Sequence, residues 1–284
     1  MTLEKKVMSE QQKEDKRILK LIDRSGLSEK ELRIILKKSR SEPKNYHVDF
    51  PGKKVTYGMI SDSHVGSVYY DPITMDRAAK EFNKRKVDFV LHGGDLCEGH
   101  YEGRRAGSVF ELNQIGGDAQ VNKAIDELSK INKKIPIYLI TGNHEYNTFY
   151  KNSGFEIGQR MEERMPNLKY LGNAEGTINL PHGNKILSLH PDGGSSYAIS
   201  YKSQKIAESL DGGSKPNILH IGHFHKSEYL FYRNIHIFQN GCLQKQSKFM
   251  KGKHLSAHRG FWIISAEATK KGISKITPEW YPTY

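Results

Sequence analysis

From Val55 onward the chain alternates short, nearly all-apolar runs with longer stretches in which apolar positions recur at helical spacing. A strand buried on both faces reads as a continuous apolar run, whereas the helical spacing marks one face turned to a core. The pattern predicts strands at Val55–Ser61, Val87–His92, Pro136–Thr141, near Thr177–Leu180, at Lys185–His190 and at Asn217–Ile221. Helices are predicted at Pro72–Arg85, Asp118–Lys133, Phe155–Met165 and Tyr197–Leu210. The remaining strands (Tyr229–Tyr232, Ile235–Gln239, Gly260–Ala266 and Ile273–Ile276) are joined by turns, which adds an antiparallel section to an α/β layered core.

Residues 1–44 follow another pattern. Glu10–Arg24 reads as a helix with Ile18, Leu19, Leu21 and Ile22 on or near one face, and Ser25-Gly26 breaks it. Ser28 with Glu31 forms a capping box that opens a second helix, whose apolar stripe is Leu32, Ile35 and Leu36. Two short helices about a glycine turn resemble a helix-turn-helix that reads DNA or RNA. The same pattern also suits a hairpin that packs on the main domain or holds a homo-oligomer together. Arg40–Lys54, with two prolines and a glycine, reads as the linker, dividing the chain into 1–44 and 45–284.

Composition narrows the class. With 284 residues and 36% hydrophobic content, the chain can bury one large core. The sequence contains no apolar run long enough to span a bilayer, and its charged N-terminus lacks the apolar region of a secretory signal. Cys97 and Cys242 form no C-x-x-C pair, so a reducing, cytoplasmic setting without disulfides is expected, both thiols acting as small buried hydrophobes. The net charge of +12 points to a polyanionic partner such as nucleic acid. Its distribution sharpens this: residues 241–266 hold five basic side chains (Lys245, Lys248, Lys251, Lys253, Arg259) and no acidic one.

The chemistry lies in five clusters, each directly after an apolar run. TYGMISDSH ends in Asp62 and His64; VDFVLHGGD ends in Asp95; IPIYLITGNHE ends in Asn143, His144 and Glu145; KILSLH ends in His190; NILHIGHFH ends in His223 and His225. Ligands of an open α/β sheet bind beyond the carboxyl ends of its strands, so all five clusters should converge on one sheet edge. Imidazoles, two carboxylates and a carboxamide without a thiolate suit Mn, Fe or Zn. Seven such donors exceed one tetrahedral ion and fit two ions bridged by a carboxylate, the arrangement that holds both oxygens of a displacement at phosphorus.

As a set, DSH at 62–64, GGD at 93–95, GNHE at 142–145, His190 and GHFH at 222–225 resemble the calcineurin-like metallophosphoesterase family, over about Val55 to His225. The resemblance implies a four-layered α/β/β/α sandwich, here with a small N-terminal helical hairpin, and two divalent metal ions, Mn foremost. It implies Asp62, His64 and His225 as ligands of a first metal, Asn143, His190 and His223 of a second, and Asp95 as the bridge. His144 is implied just outside the metals, placed to protonate a leaving alkoxide or to stabilise charge on the phosphate. Glu98, three residues after Asp95, is the carboxylate expected to orient it.

The protein-phosphatase branch of that family carries an arginine where this chain has Gly99. Together with the two-histidine GHFH, this shifts the expectation towards phosphodiesterases and DNA exonuclease-like nucleases. Arg104 or Arg105 is a candidate phosphate clamp. Lys202, Lys205, Lys245 and Lys248 could follow a phosphate backbone. Tyr201 and Phe249 are expected mainly to pack, with base stacking as the other reading. A phosphodiesterase or phosphatase for small or cyclic nucleotides is the alternative, and a non-catalytic nucleic-acid-binding scaffold a further one.

Overall fold

The computed structural model describes residues 47–101, 109–213 and 215–284. The expected N-terminal hairpin at 1–44 and the nucleic-acid role expected of it, together with Arg104 and Arg105, lie outside these described residues.

Two six-stranded sheets are stacked face to face. The first is built on β2 (Lys54–Ile60), β3 (Phe89–Gly93), β4 (Ile137–Thr141) and β5 (Leu168–Asn173), mutually parallel, and is closed at one side by β11 (Gly260–Thr269) and β12 (Gly272–Pro282), which run antiparallel to their neighbours. Helices α1 (Pro72–Arg85), α2 (Gly117–Leu128) and α3 (Ile157–Arg164) make the crossovers that parallel neighbours require. The second sheet has the order β1 (His47–Asp49), β6 (Glu175–Leu180), β7 (Asn184–Leu189), β8 (Ile218–Ile221), β10 (Ile235–Asn240), β9 (Ser227–Tyr232), with β7, β8 and β10 parallel. Helix α4 (Tyr201–Ser209) lies on its outer face, and a short α5 (Lys248–Gly252) follows β10.

Strand periodicity sorts the side chains into three cores. Along β11, Phe261 and Ile263 join α1–α3 in an outer core, while Trp262, Ile264, Ala266 and Ala268 point the other way, between the sheets. Along β8, Ile218 faces the space between the sheets, and Leu219 and Ile221 face α4. Three cores separated by two sheets make four layers, α/β/β/α. The doubly buried β2, β3 and β8 read as near-continuous apolar runs because neither face meets water.

Two strands escape sequence reading. The expected linker contains β1, whose His47–Asp49 pairs in parallel with Thr177–Asn179; three residues are too few for a periodic signal. Strand β5 falls in LKYLGN, where a lysine and a glycine interrupt the apolar run.

Candidate metal centre

The five clusters do meet, but from two sheets rather than along one sheet edge. Asp62, His64, Asp95 and Asn143–His144 follow β2, β3 and β4 of the first sheet; His190, His223 and His225 follow β7 and β8 of the second. Stacking the sheets brings both sets of carboxyl ends to one place. The chain turns there at a local energetic cost. Asp62, His64, Asp95, His223 and His225 have φ of 51°, 52°, 49°, 76° and 54°, a left-handed conformation worth about 1–3 kcal/mol of strain per non-glycine residue. A backbone ribbon holds it in place: Asp62 N donates to Gly94 O (3.0 Å), His64 N to Asp95 O (3.0 Å) and Leu243 N to Asp62 O (3.1 Å). The carboxylate of Asp62 also accepts from His223 N at 3.0 Å, tying a loop of one sheet to a loop of the other. Gly142 is needed for closeness rather than for φ, since a Cβ there would strike Asp95 Oδ1 and lie 2.7 Å from His190 Nε2.

Two donor groups result. In the first, His225 Nε2 lies 3.3 Å from Asp62 Oδ1 and 3.1 Å from His64 Nε2. In the second, His190 Nε2 lies 3.1 Å from Asp95 Oδ2 and 3.2 Å from Asn143 Oδ1, which is 2.7 Å from His223 Nδ1. Asp95 stands between the groups, its Oδ2 also 3.9 Å from His64 Nε2.

The outer nitrogens decide which atoms face inward. His190 Nδ1–H donates to Gly93 O at 2.8 Å, His223 Nε2–H donates to Gly193 O, and His64 Nδ1 lies 3.0 Å from Glu98 Oε2. Each ring thereby turns a lone pair towards carboxylate, carboxamide or imidazole acceptors. Such a set is repulsive unless cations or protons lie within it, and these nitrogen and oxygen donors fit divalent ions.

The ionisation of the buried groups agrees. Burial works to raise the Asp62 carboxyl, but the neighbouring His225 and His190 imidazoles bring it down to about 2. Burial also opposes the charged form of His190, yet Asp95 beside it raises the imidazole to about 10. His225 is raised as well, against burial, by Cys242 and Asp62. His64 and His223 are lowered, chiefly by burial. With its acidity set near 10 instead of the ordinary 6.5, His190 carries a proton at neutral pH that a cation must displace. Affinity at the second group therefore rises with pH, by up to about tenfold per unit while that proton is the one displaced. Calorimetric Mn²⁺ titrations at pH 6.5, 7.5 and 8.5, in buffers of differing ionisation enthalpy, should show proton release and this rise; binding independent of pH would contradict the displacement of a proton from His190.

His144 sits beside these two groups, and forms with His64 and Glu98 a third cluster of possible donors. Its Nε2 is 4.0 Å from Asp95 Oδ2, and its backbone N donates to Asp95 Oδ1 at 2.9 Å. The residue expected to orient it does so by a different atom. His144 Nδ1–H donates to the backbone carbonyl of Glu98 at 2.7 Å, while the Glu98 carboxylate is 3.8 Å away and closer to His64. The left-handed turn of Asp95 and the Gly99 turn aim the carbonyl, not the carboxylate, at the ring. Burial opposes its charged form, but Asp95 and Glu98 raise the His144 imidazole overall.

Two positions without an assigned role in the sequence belong to this architecture. Gln244 Nε2 donates to Glu98 Oε2 at 3.1 Å, supporting the carboxylate that faces His64. Glu145, buried and pushed up to about 7 by burial and then by Asp95, accepts from Cys97 N (2.7 Å) and Gly142 N (2.8 Å), stapling the exits of β3 and β4. The position of Glu145 inside GNHE was a visible signal; Gln244 carried none.

The basic candidates are placed unequally. Lys202, on α4, has its Nζ 5.9 Å from the Phe224 ring, between His223 and His225. Lys205, Lys245 and Lys248 are exposed, and Lys245 directly follows Gln244. Tyr201 and Phe249, expected to pack, are instead 51% and 66% exposed, because their faces of α4 and α5 are turned to solvent. No helix among the described residues is long and apolar enough to cross a membrane.

The family described as calcineurin-like phosphoesterase matches residues 55–253. The chain is 22% identical over 248 residues to the DNA polymerase II small subunit of two Halobacterium salinarum strains, covering 75% of this chain and 48% of each relative. It thus spans about half the length of the curated relatives it matches. Among solved structures it is similar to an archaeal phosphodiesterase (14% identity, TM-score 0.43, 80% of this chain and 99% of that one). It is also similar to Yfce, a phosphoesterase from E. coli (14% identity, TM-score 0.43, 78% and 98%). At these scores neither structure bears on the activity.

Proposed function

The chain belongs to the calcineurin-like phosphoesterase family, and from that premise we propose that it is a two-metal phosphodiesterase acting on nucleic acid. The observation that carries the reading is the pair of donor groups, Asp62–His64–His225 and Asp95–His190–His223 with Asn143, joined through Asp95. Asp62, His64 and His225 would hold one divalent ion, Asn143, His190 and His223 the other, and Asp95 both, with Mn²⁺ favoured by the mixed nitrogen and oxygen donors. When bound, the ions supply charge neutralisation at phosphorus and a water acidic enough to attack at neutral pH.

The chain's own residues do the rest. Gly193 and Gly93 carbonyls fix the rings of His223 and His190, and the Glu98 carboxylate fixes His64. His144 keeps one proton on Nδ1, held by Glu98 O; its Nε2–H, favoured because Asp95 and Glu98 raise the imidazole's pKa against burial, is the proton given to the leaving oxygen.

A polynucleotide substrate is supported by the charge of +12, by the exposed Lys205, Lys245, Lys248, Tyr201 and Phe249, and by relatives named as a subunit of a DNA polymerase. Both cysteines are free and buried, which accords with a reducing, cytoplasmic setting. With Mn²⁺, the protein should shorten labelled single- or double-stranded DNA or RNA, with binding that weakens steeply as salt rises. Hydrolysis of bis(p-nitrophenyl) phosphate and cyclic nucleotides with every polynucleotide left intact would instead mark a small-nucleotide enzyme.

A further inference from the structure

Beside the metal centre lies a pocket of about 440 Å³, within the range of small-ligand sites and larger than a lone phosphate needs. Its walls are chain neighbours of the ligand residues. Lys226 follows His225, and His258 N donates to His225 O at 2.9 Å. The lining also includes Ser195, two residues beyond the Gly193 carbonyl that holds His223.

The lining has one electrostatic sign. Lys226 and Lys253 contribute ammonium groups, and no acidic side chain is among the residues that line it. Lys226 Nζ donates to the carbonyl of Ser256 at 3.1 Å and to the Ser256 hydroxyl, so its contacts are with neutral groups and its charge is not spent on a carboxylate. His258 Nδ1 accepts from Ser227 N at 3.1 Å, which leaves its hydrogen on Nε2 as a further donor. The same lining includes the Tyr197 ring, which is fully exposed, and the apolar side chains of Ile199 and Leu255. Cationic donors, an exposed aromatic ring and apolar side chains lining one pocket are complementary to one nucleotide unit: an anionic phosphate and a flat base.

We propose that this pocket, lined by Lys226, Lys253, His258 and Tyr197, is the subsite for the nucleotide next to the scissile phosphodiester, holding its phosphate on the lysines and its base on Tyr197. The assignment rests on the phosphodiesterase reading above and adds to it that a substrate with a second phosphate is preferred over a single isolated phosphodiester.

The test compares a thymidine dinucleotide carrying a terminal phosphate with bis(p-nitrophenyl) phosphate, which has no second phosphate for the lysines and no base carried a sugar's length away from the scissile bond. In Lys253→Glu and in Tyr197→Ala, the ratio of kcat/KM for the phosphorylated dinucleotide to that for bis(p-nitrophenyl) phosphate should fall about tenfold, the size of one charge-assisted contact or one stacked base. Lys251→Glu, which changes charge equally on a lysine outside the lining, should leave the ratio as it is. An unchanged ratio in the first two variants, or an equal fall in all three, overturns the proposal. Should the wild type hydrolyse neither compound with Mn²⁺, the phosphodiesterase reading fails. The pocket is then judged by the fluorescence anisotropy of the labelled dinucleotide, whose binding must weaken in Lys253→Glu but not in Lys251→Glu.

Discussion

Replacing Asp95 with alanine is expected to empty both metal positions and lower phosphodiesterase activity by a factor on the order of 10³ or more, since several kcal/mol of charge stabilisation goes with the ions. The reason is geometric. Oδ2 of Asp95 is 3.1 Å from His190 Nε2 and 3.9 Å from His64 Nε2, so one carboxylate serves both donor groups. Its other oxygen accepts from His144 N at 2.9 Å, so the same substitution also frees the loop that carries His144. Asp95→Asn keeps the shape without the charge and separates loss of metal from loss of fold: it should remain folded by circular dichroism while elemental analysis shows the metal gone. Two ions retained in either variant would remove Asp95 as the shared ligand.

His144→Ala is expected to behave oppositely, keeping both metals while kcat on a polynucleotide falls by about 10² to 10⁴, the usual worth of a positioned general acid. Its ring makes none of the closest contacts within the two donor groups, and its raised imidazole favours the protonated form that a leaving alkoxide needs. As pH rises through that raised value the wild type should lose activity, because the proton to be donated is gone; the variant should lack this alkaline limb. Bis(p-nitrophenyl) phosphate releases a stable phenolate that needs little proton donation, so its hydrolysis should suffer much less. An equal loss on both substrates would assign His144 to phosphate binding rather than to the leaving oxygen, and full activity on both would exclude it from the chemistry.

Much of this was legible in the sequence because the fold puts its chemistry where strands stop. The runs ending at Ile60, Gly93, Thr141 and Ile221 are mostly apolar on both faces, and the one ending at Leu189 alternates buried and half-buried positions, so the polar residues beyond each are conspicuous. The helix read at Pro72–Arg85 has those bounds in the structure, with proline at its start and Lys86 left-handed at its end. What escaped were features that only packing creates. Periodicity shows that a strand is buried on both faces but not against which sheet, so a single edge was expected where two sheets share the site. Spacing put Glu98 near His144, but backbone direction decided that its carbonyl holds His144 while its carboxylate faces His64. The pocket draws on residues near 197, 226, 253 and 258, which share no motif and meet only because two loops fold beside the GHFH turn.

The central claim is that seven side chains surround a pair of cations through one shared carboxylate. Anomalous scattering from crystals grown with Mn²⁺ tests it most directly. The account predicts two peaks about 3.5–4 Å apart, one among Asp62, His64 and His225, the other among Asn143, His190 and His223, with Asp95 touching both. A single peak, or ions bound away from these residues, would contradict it.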